Sequence, residues 1–359
     1  MTATLSTRLR TLSFLLIVLV VFLHAVNTTI LVPGLQDASL SVSLPLYVQQ
    51  FINQGITRIA VPLFFAISGY LFFCSFQPTA RQFRAKYRRR ARSLLAPYLI
   101  WSAAGIVLFY LLQTLPASKP YFTDPANVIR NLSAGELARK WLLDPINYPL
   151  WFVRDLIVLT SISPLIYLLV RWLGLGVLLP LGGLWLLGLS PPLMLGLRPV
   201  VSMPGLFFFM LGSYLALRKP LDLERDMAGS KALAAVWLGL LAVKTYLEIY
   251  QGRESTILAQ VSIALGVVAL WTNYRSLQPA LEGRVGIWLT QFTFFVYAGH
   301  EPLLTILKKL FVRLFGLGPW SQLLAFFLLP VLAIAVCVSV AAVMKRFFRP
   351  VYLVMTGGR

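Results

Sequence analysis

Histidine and cysteine each occur only twice in the 359 residues. Cys74 and Cys337 lie far apart in apolar stretches and match no metal-ligand or redox spacing. They read as packing residues, and no metal centre is expected. Charge is sparse too: Asp, Glu, Lys and Arg make up 12% of the chain against 58% hydrophobic residues. Apolar runs of spanning length at that balance do not fit inside one soluble core, so a polytopic α-helical membrane protein is expected. Arg8 and Arg10 precede the first apolar run, but no small-x-small cleavage site follows it, so it reads as a helix rather than a signal peptide. No repeat of roughly 20 to 50 residues and no inverted pair of Gly/Pro-broken helices is evident.

The charge that is present is mostly basic, 32 Lys and Arg against 12 Asp and Glu, a formal +20. It flanks the apolar runs and forms no recognition helix or stacking module in a soluble domain. Nucleic acid is therefore not an expected partner, and anionic lipid headgroups are.

About ten spans can be drawn, at 11–32, 57–76, 94–115, 149–171, 173–189, 203–218, 231–250, 255–273, 287–308 and 320–344. With alternating loops, Arg8 and Arg10, the run from Arg81 to Arg92, Arg218 and Lys219, Arg275 and Arg284, and Lys345, Arg346 and Arg349 share one side. By the positive-inside rule that side is the cytoplasm. The expected fold is all-α: one polytopic transmembrane helical bundle over residues 1–359, both termini cytoplasmic, with no fused soluble domain, in a bacterial inner or plasma membrane. Lys308, Lys309 and Arg313 fall on the outer side in this count and are its weak point. The longest loop, about 116–148, is long enough to cap the outer face. Its Tyr121, Trp141 and Tyr148 suit either the interfacial aromatic belt or contact with sugar rings. The segment 40–54 reads as interfacial or re-entrant.

Polar groups inside the spans carry the functional signal. A titratable imidazole deep in a spanning helix is costly unless paired or hydrated, which marks His24 as functional, and His300, followed by Glu301, likewise. At a rise of about 1.5 Å per residue both histidines come out about 20 Å above the cytoplasmic end. Arg58, Arg154 and Asp155 fall slightly above that level, so His24, Arg58, Arg154, Asp155, His300 and Glu301 form one candidate cluster. Plainer readings stand beside it: snorkelling for Arg58 and Arg154, an interfacial ion pair for Arg154 with Asp155, and helix–helix hydrogen bonding for His300. Lys244 and Glu248 form an i, i+4 pair that reads as structural. At the opposite face, Arg88, Arg89, Arg90 and Arg92 run directly into the third span. They suit bidentate phosphate contacts, or simply anchor the topology.

Several separated motifs resemble the acyltransferase-3 family of integral membrane proteins, over most of the chain. His24 is similar to the family's first-helix histidine. Pro62-Leu63-Phe64-Phe65-Ala66-Ile67-Ser68-Gly69-Tyr70-Leu71 is similar to its second-span signature, and Arg89-Arg90-Ala91-Arg92-Ser93-Leu94-Leu95-Ala96-Pro97-Tyr98-Leu99-Ile100-Trp101 to the basic start of its third span. Leu150-Trp151-Phe152-Val153-Arg154-Asp155-Leu156, Phe209-Met210-Leu211-Gly212-Ser213-Tyr214-Leu215 and Phe295-Val296-Tyr297-Ala298-Gly299-His300-Glu301-Pro302 follow in order. The chain departs from the family in one place. The arginine that the family pairs with its histidine, eleven positions earlier, is here Ser13. Arg10 lies within about 40° of the same helix face, a turn deeper, and is the candidate to replace it.

The resemblance implies an O-acyltransferase, usually an O-acetyltransferase, that moves an acyl group from cytoplasmic acyl-coenzyme A (acetyl-CoA first among them) to a hydroxyl of a surface or secreted glycan or related acceptor. On that reading Arg10, Arg88, Arg89, Arg92 and Tyr98 hold the donor. His24 is the general base or the transient acyl carrier, Glu301 or Asp155 orients an imidazole, and Arg58 or Arg154 stabilises the oxyanion. Two alternatives remain. One is a transporter or flippase in which His24, Asp155 and His300 relay protons or bind cargo; the other is a member without chemistry, serving as a scaffold.

Overall fold

The computed structural model describes residues 2–26, 42–116, 118, 128–189, 194–195, 198–199, 201–218 and 230–358. In chain order the α-helices are α1 (Ala3–Leu23), α2 (Leu44–Gln50), α3 (Ala60–Phe73), α4 (Ala80–Arg90), α5 (Ala96–Thr114), α6 (Ala134–Leu142), α7 (Trp151–Ser161), α8 (Ser163–Trp172) and α9 (Leu175–Leu186). They continue with α10 (Met203–Leu217), α11 (Ser230–Tyr250), α12 (Thr256–Thr272), α13 (Tyr274–Leu281), α14 (Arg284–Leu289), α15 (Thr293–Phe315), α16 (Pro319–Phe347) and α17 (Arg349–Thr356). A π turn over Phe51–Gly55 links α2 towards α3, and another over Ala91–Leu95 joins α4 to α5. Among the described residues the exception to helix is a hairpin of two-residue strands, Met194–Leu195 paired antiparallel with Arg198–Pro199.

Each of the ten expected segments is helical, but they are not ten equal spans. Five stretches of described residues are long and apolar enough to cross a membrane: Ala3–Leu23, Leu44–Phe73, Ala80–Thr114, Ser230–Tyr250 and Pro319–Phe347. The number becomes seven when Tyr148–Ser161 with Ser163–Trp172, bent by 65°, and Thr256–Thr272 with Tyr274–Leu281, bent by 61°, each count as one. Of the rest, α9 and α10 are short, and α15 is long but interrupted by Glu301, Lys308 and Lys309. The first segment also needs correction. Its helix stops at Leu23 rather than running to 32, so His24 stands at a helix end and not mid-span. Residues 27–41 lie outside the described residues, as do Tyr121 and Lys219.

In lipid there is no hydrophobic drive between helices, so close backbone approach has to supply the packing. The two glycine-bearing motifs do this together. A Cβ on Gly69 of α3 would stand 2.0 Å from the Phe209 carbonyl oxygen, and one on Gly212 of α10 would stand 1.9 Å from that of Ala66. Around this crossing lies the main core, with Phe65, Phe72, Phe73 and Phe209 fully buried. In the loop after α5, α6 is held by a capping box. The Ser133 N–H and hydroxyl donate to the Glu136 carboxylate at 2.8 and 2.7 Å, and the Glu136 N–H donates to Ser133 Oγ at 3.3 Å. These bonds hold the Glu136 carboxyl below its usual range.

Candidate active site

The second half of the site is made by a proline. Pro302 has no N–H to give and disfavours helical geometry in the residue before it, and Glu301 accordingly takes an extended φ of −107° and ψ of 136° inside α15. Ala298 O loses its in-helix partner to Pro302, and side chains serve the carbonyls at this break. Asn147 Nδ2 donates to Ala298 O at 2.8 Å, and His300 Nδ1 donates to Tyr297 O at 2.7 Å. A carbonyl only accepts, so the His300 proton sits on Nδ1 and its Nε2 lone pair is available. His300 is fully buried, and among the described residues that Nε2 has no hydrogen-bond partner.

The first half is the end of α1. His24 is the C-cap, and its ring stacks on that of His300 with centroids 5.5 Å apart and planes 16° from parallel. The two imidazoles therefore share one level. Tyr148 meets the His24 ring edge to face at 4.9 Å, which settles it as a neighbour of the histidine and not only a belt residue, whereas Trp141 donates its indole N–H to Leu99 O at 2.9 Å. Within electrostatic reach of His24 are His300, Lys308 and Arg58. Lys308 is buried and donates to His24 O at 2.8 Å. The residue that counting placed at the outer end of the ninth span is thus a buried part of the site, about two turns beyond Glu301 on the same helix.

Not every expected member joins the cluster. Asp155 is fully buried, but its carboxylate accepts from Arg154 Nη2 at 2.9 Å and from the Ser202 N–H at 2.8 Å, while Arg154 Nη1 donates to Leu143 O at 2.8 Å. The pair ties α7 to the start of α10 and the end of α6, and no bond from it to either histidine occurs among the described residues. Arg58 is exposed and donates to Gln54. Lys244 and Glu248 pair at 2.7 Å, as their spacing suggests.

Beside the middle of α1 lies a cavity of about 1620 Å³. Arg88, Arg89 and Arg92 line it with Arg81, Arg84, Lys86 and Arg90, and so do Ser13 and Ile17 of α1. Arg10 is exposed and Tyr98 is buried, its hydroxyl donating to Leu142 O at 3.0 Å; neither lines the cavity. A second pocket of about 40 Å³ touches His24, and Phe64, Phe152 and Tyr297 line both spaces. Ser13 to His24 is eleven residues, about 16 Å along the helix. Three aromatic rings therefore stand between a basic chamber and a small apolar pocket at the imidazole.

Sequence reasoning missed Lys308, Asn53 and Asn147. Lys308 carried a usable signal, its two-turn spacing from Glu301. The asparagines carried none, because their partners are backbone carbonyls of other helices.

The sequence profile of the acyltransferase-3 family, described as an acyltransferase domain, matches residues 9–342. The chain belongs to the acyltransferase-3 family. It is similar to the succinoglycan biosynthesis protein ExoH of Rhizobium meliloti (strain 1021), 29% identical over 376 aligned positions that cover 100% of this chain and 94% of the relative. No solved structure matches the chain. Membership makes this protein an acyltransferase, which sets aside the transporter and scaffold readings, and its apolar helices make it a membrane protein.

Proposed function

We propose that this acyltransferase moves a short acyl group, acetyl first among the candidates, from cytoplasmic acyl-coenzyme A to a hydroxyl of a surface or secreted polysaccharide. The observation that carries the reading is that the arginine-rich chamber and the pocket at His24 share the rings of Phe64, Phe152 and Tyr297 as a common wall. Guanidinium groups suit the donor's phosphates, the shared aromatic wall suits a thin arm, and a pocket of about 40 Å³ has room for roughly three water-sized groups, enough for an acetyl. The positive-inside rule places the chamber at the cytoplasmic face of the cell membrane. The relative's name, a protein of succinoglycan biosynthesis, supports a polysaccharide as acceptor.

In the direct route, His24 takes the proton from the acceptor hydroxyl as that oxygen bonds to the thioester carbonyl carbon. The carbon–sulfur bond then breaks, and the proton passes from the imidazole to the departing thiolate. In the covalent route, the imidazole nitrogen bonds to the carbonyl carbon as the carbon–sulfur bond breaks; the acceptor oxygen then displaces the imidazole, and the hydroxyl proton goes to the released thiolate. Arg58, within electrostatic reach of His24, would have to leave Gln54 to meet the developing oxyanion, and Arg154 would have to leave Asp155 and Leu143.

The test uses the protein in lipid nanodiscs with radiolabelled acetyl-coenzyme A and de-esterified polysaccharide. The wild type is expected to place alkali-labile label on the polysaccharide, and folded His24→Ala is expected to place none. Label transfer undiminished in His24→Ala would overturn the reading.

A further inference from the structure

Helices commonly end on a glycine that closes the last carbonyls locally, yet α1 ends on His24 and Ala25. Its final carbonyls are also tied from outside, Phe22 O in addition to a local bond from the Ala25 N–H at 3.1 Å. Asn53, in the π turn before α3, donates Nδ2 to Leu23 O at 2.6 Å and to Phe22 O at 3.2 Å, and Lys308 of α15 donates Nζ to His24 O at 2.8 Å. Three successive carbonyls are thereby tied by donors from two separate elements. Both donors are buried, Asn53 at 2% and Lys308 at 6% exposure.

A buried ammonium is a poor way to gain stability, because removing the charge from water costs several kcal/mol unless a partner compensates. Here the compensation comes from the negative end of α1 and from Glu301, which faces Lys308 on the same helix. Glu301 directly follows His300. Lys308 is therefore bonded to the backbone of one histidine and lies within electrostatic reach of the carboxyl group beside the other. We propose that Lys308 and Asn53 are positioning residues that latch the end of α1, setting the His24 ring against His300 and in the mouth of the small pocket. This rests on the reading of His24 as the reacting imidazole.

A displacement of about 1 Å in a reacting group can cost about 10²-fold in rate, whereas the donor chamber beside the middle of α1 has no contact with the latch. The experiment is steady-state kinetics in nanodiscs with acetyl-coenzyme A and polysaccharide, comparing Lys308→Met, Lys308→Arg, Asn53→Leu and His24→Ala, with folding checked by size-exclusion profile. Lys308→Met is expected to lose about 10²-fold in kcat with the KM for acetyl-coenzyme A within about twofold of wild type. Lys308→Arg, which keeps a cationic donor, is expected to restore at least a tenth of wild-type kcat. If the Met variant does not fold, Asn53→Leu carries the same test with an expected loss of about tenfold in kcat. Folded Lys308→Met or Asn53→Leu with kcat within twofold of wild type, or an effect confined to KM, would overturn the latch. An inactive His24→Ala beside an unimpaired Lys308→Met would defeat the latch alone; an active His24→Ala would defeat the reading beneath it.

Discussion

Helix α1 borders two opposite kinds of site, one along its middle and one at its C-terminal end. At the basic site, seven cationic side chains surround a space of about 1620 Å³, and five of them, Arg81, Arg84, Arg88, Arg89 and Arg92, are exposed. At the histidine end the pocket is about 40 Å³, His300 is fully buried, and its ring and the backbone of His24 are fixed by bonds to particular atoms. The first arrangement recognises charge with many overlapping contributors, each free to adjust. The second depends on a few groups held in place. One substitution should therefore be tolerated at the first site and not at the second.

The largest expected effect is His24→Ala, with a loss of about 10³-fold or more in kcat measured by acyl transfer in nanodiscs, in line with removal of a general base or nucleophile. At the basic site Arg88→Ala, Arg89→Ala and Arg92→Ala, taken singly, are each expected to raise KM for acyl-coenzyme A by only about three- to tenfold, with kcat unchanged. The triple variant is expected to raise it far more. Because these side chains are solvated, KM should also rise with added salt while kcat does not. A single arginine whose loss abolishes turnover would break the contrast.

A smaller effect is expected where neither site is touched. Asp155→Asn leaves a buried group with weakened bonds to Arg154 and Ser202, so it should lower thermal stability by about 1–3 kcal/mol while kcat stays within about tenfold. The smallest concerns α6. Its Glu136 carboxyl is held below the usual range by Ser133, so the stabilisation it gives is complete at neutral pH and is lost as pH falls through the folded-state value. The protection of the α6 amides, taken relative to their intrinsic exchange rates, should fall as the Glu136 carboxyl is protonated in acid, and Glu136→Gln should remove that fall. Protection of α6 that is unchanged between neutral and acidic pH would contradict the capping role.

Hydropathy made the ten helical segments legible because each carries a run of apolar residues, and the shared level of His24 and His300 followed from helix rise alone. The apolar run through Leu31 hid the end of α1, since nothing between Leu23 and Val26 reads as a helix stop. Lys308 was placed at the outer end of a span because counting cannot see a helix that breaks at Glu301 and then turns a charge towards the end of α1. Arg154 and Asp155 sit beside each other in the chain and at the right height, yet the carboxylate is turned to the Ser202 N–H, a direction that depth does not reveal. The chamber was legible from the arginine run; the wall of Phe64, Phe152 and Tyr297 that it shares with the His24 pocket was not, because these rings come from three helices.

The central claim is that donor binding and acyl transfer are carried out at two separate sites along α1. Its most direct test is the affinity of His24→Ala for acyl-coenzyme A, measured by equilibrium binding in nanodiscs alongside the wild type and the triple arginine variant. The account predicts a Kd within about twofold of wild type for His24→Ala and a large loss for the triple variant. A comparable loss of binding in His24→Ala, with the triple variant unaffected, would contradict it.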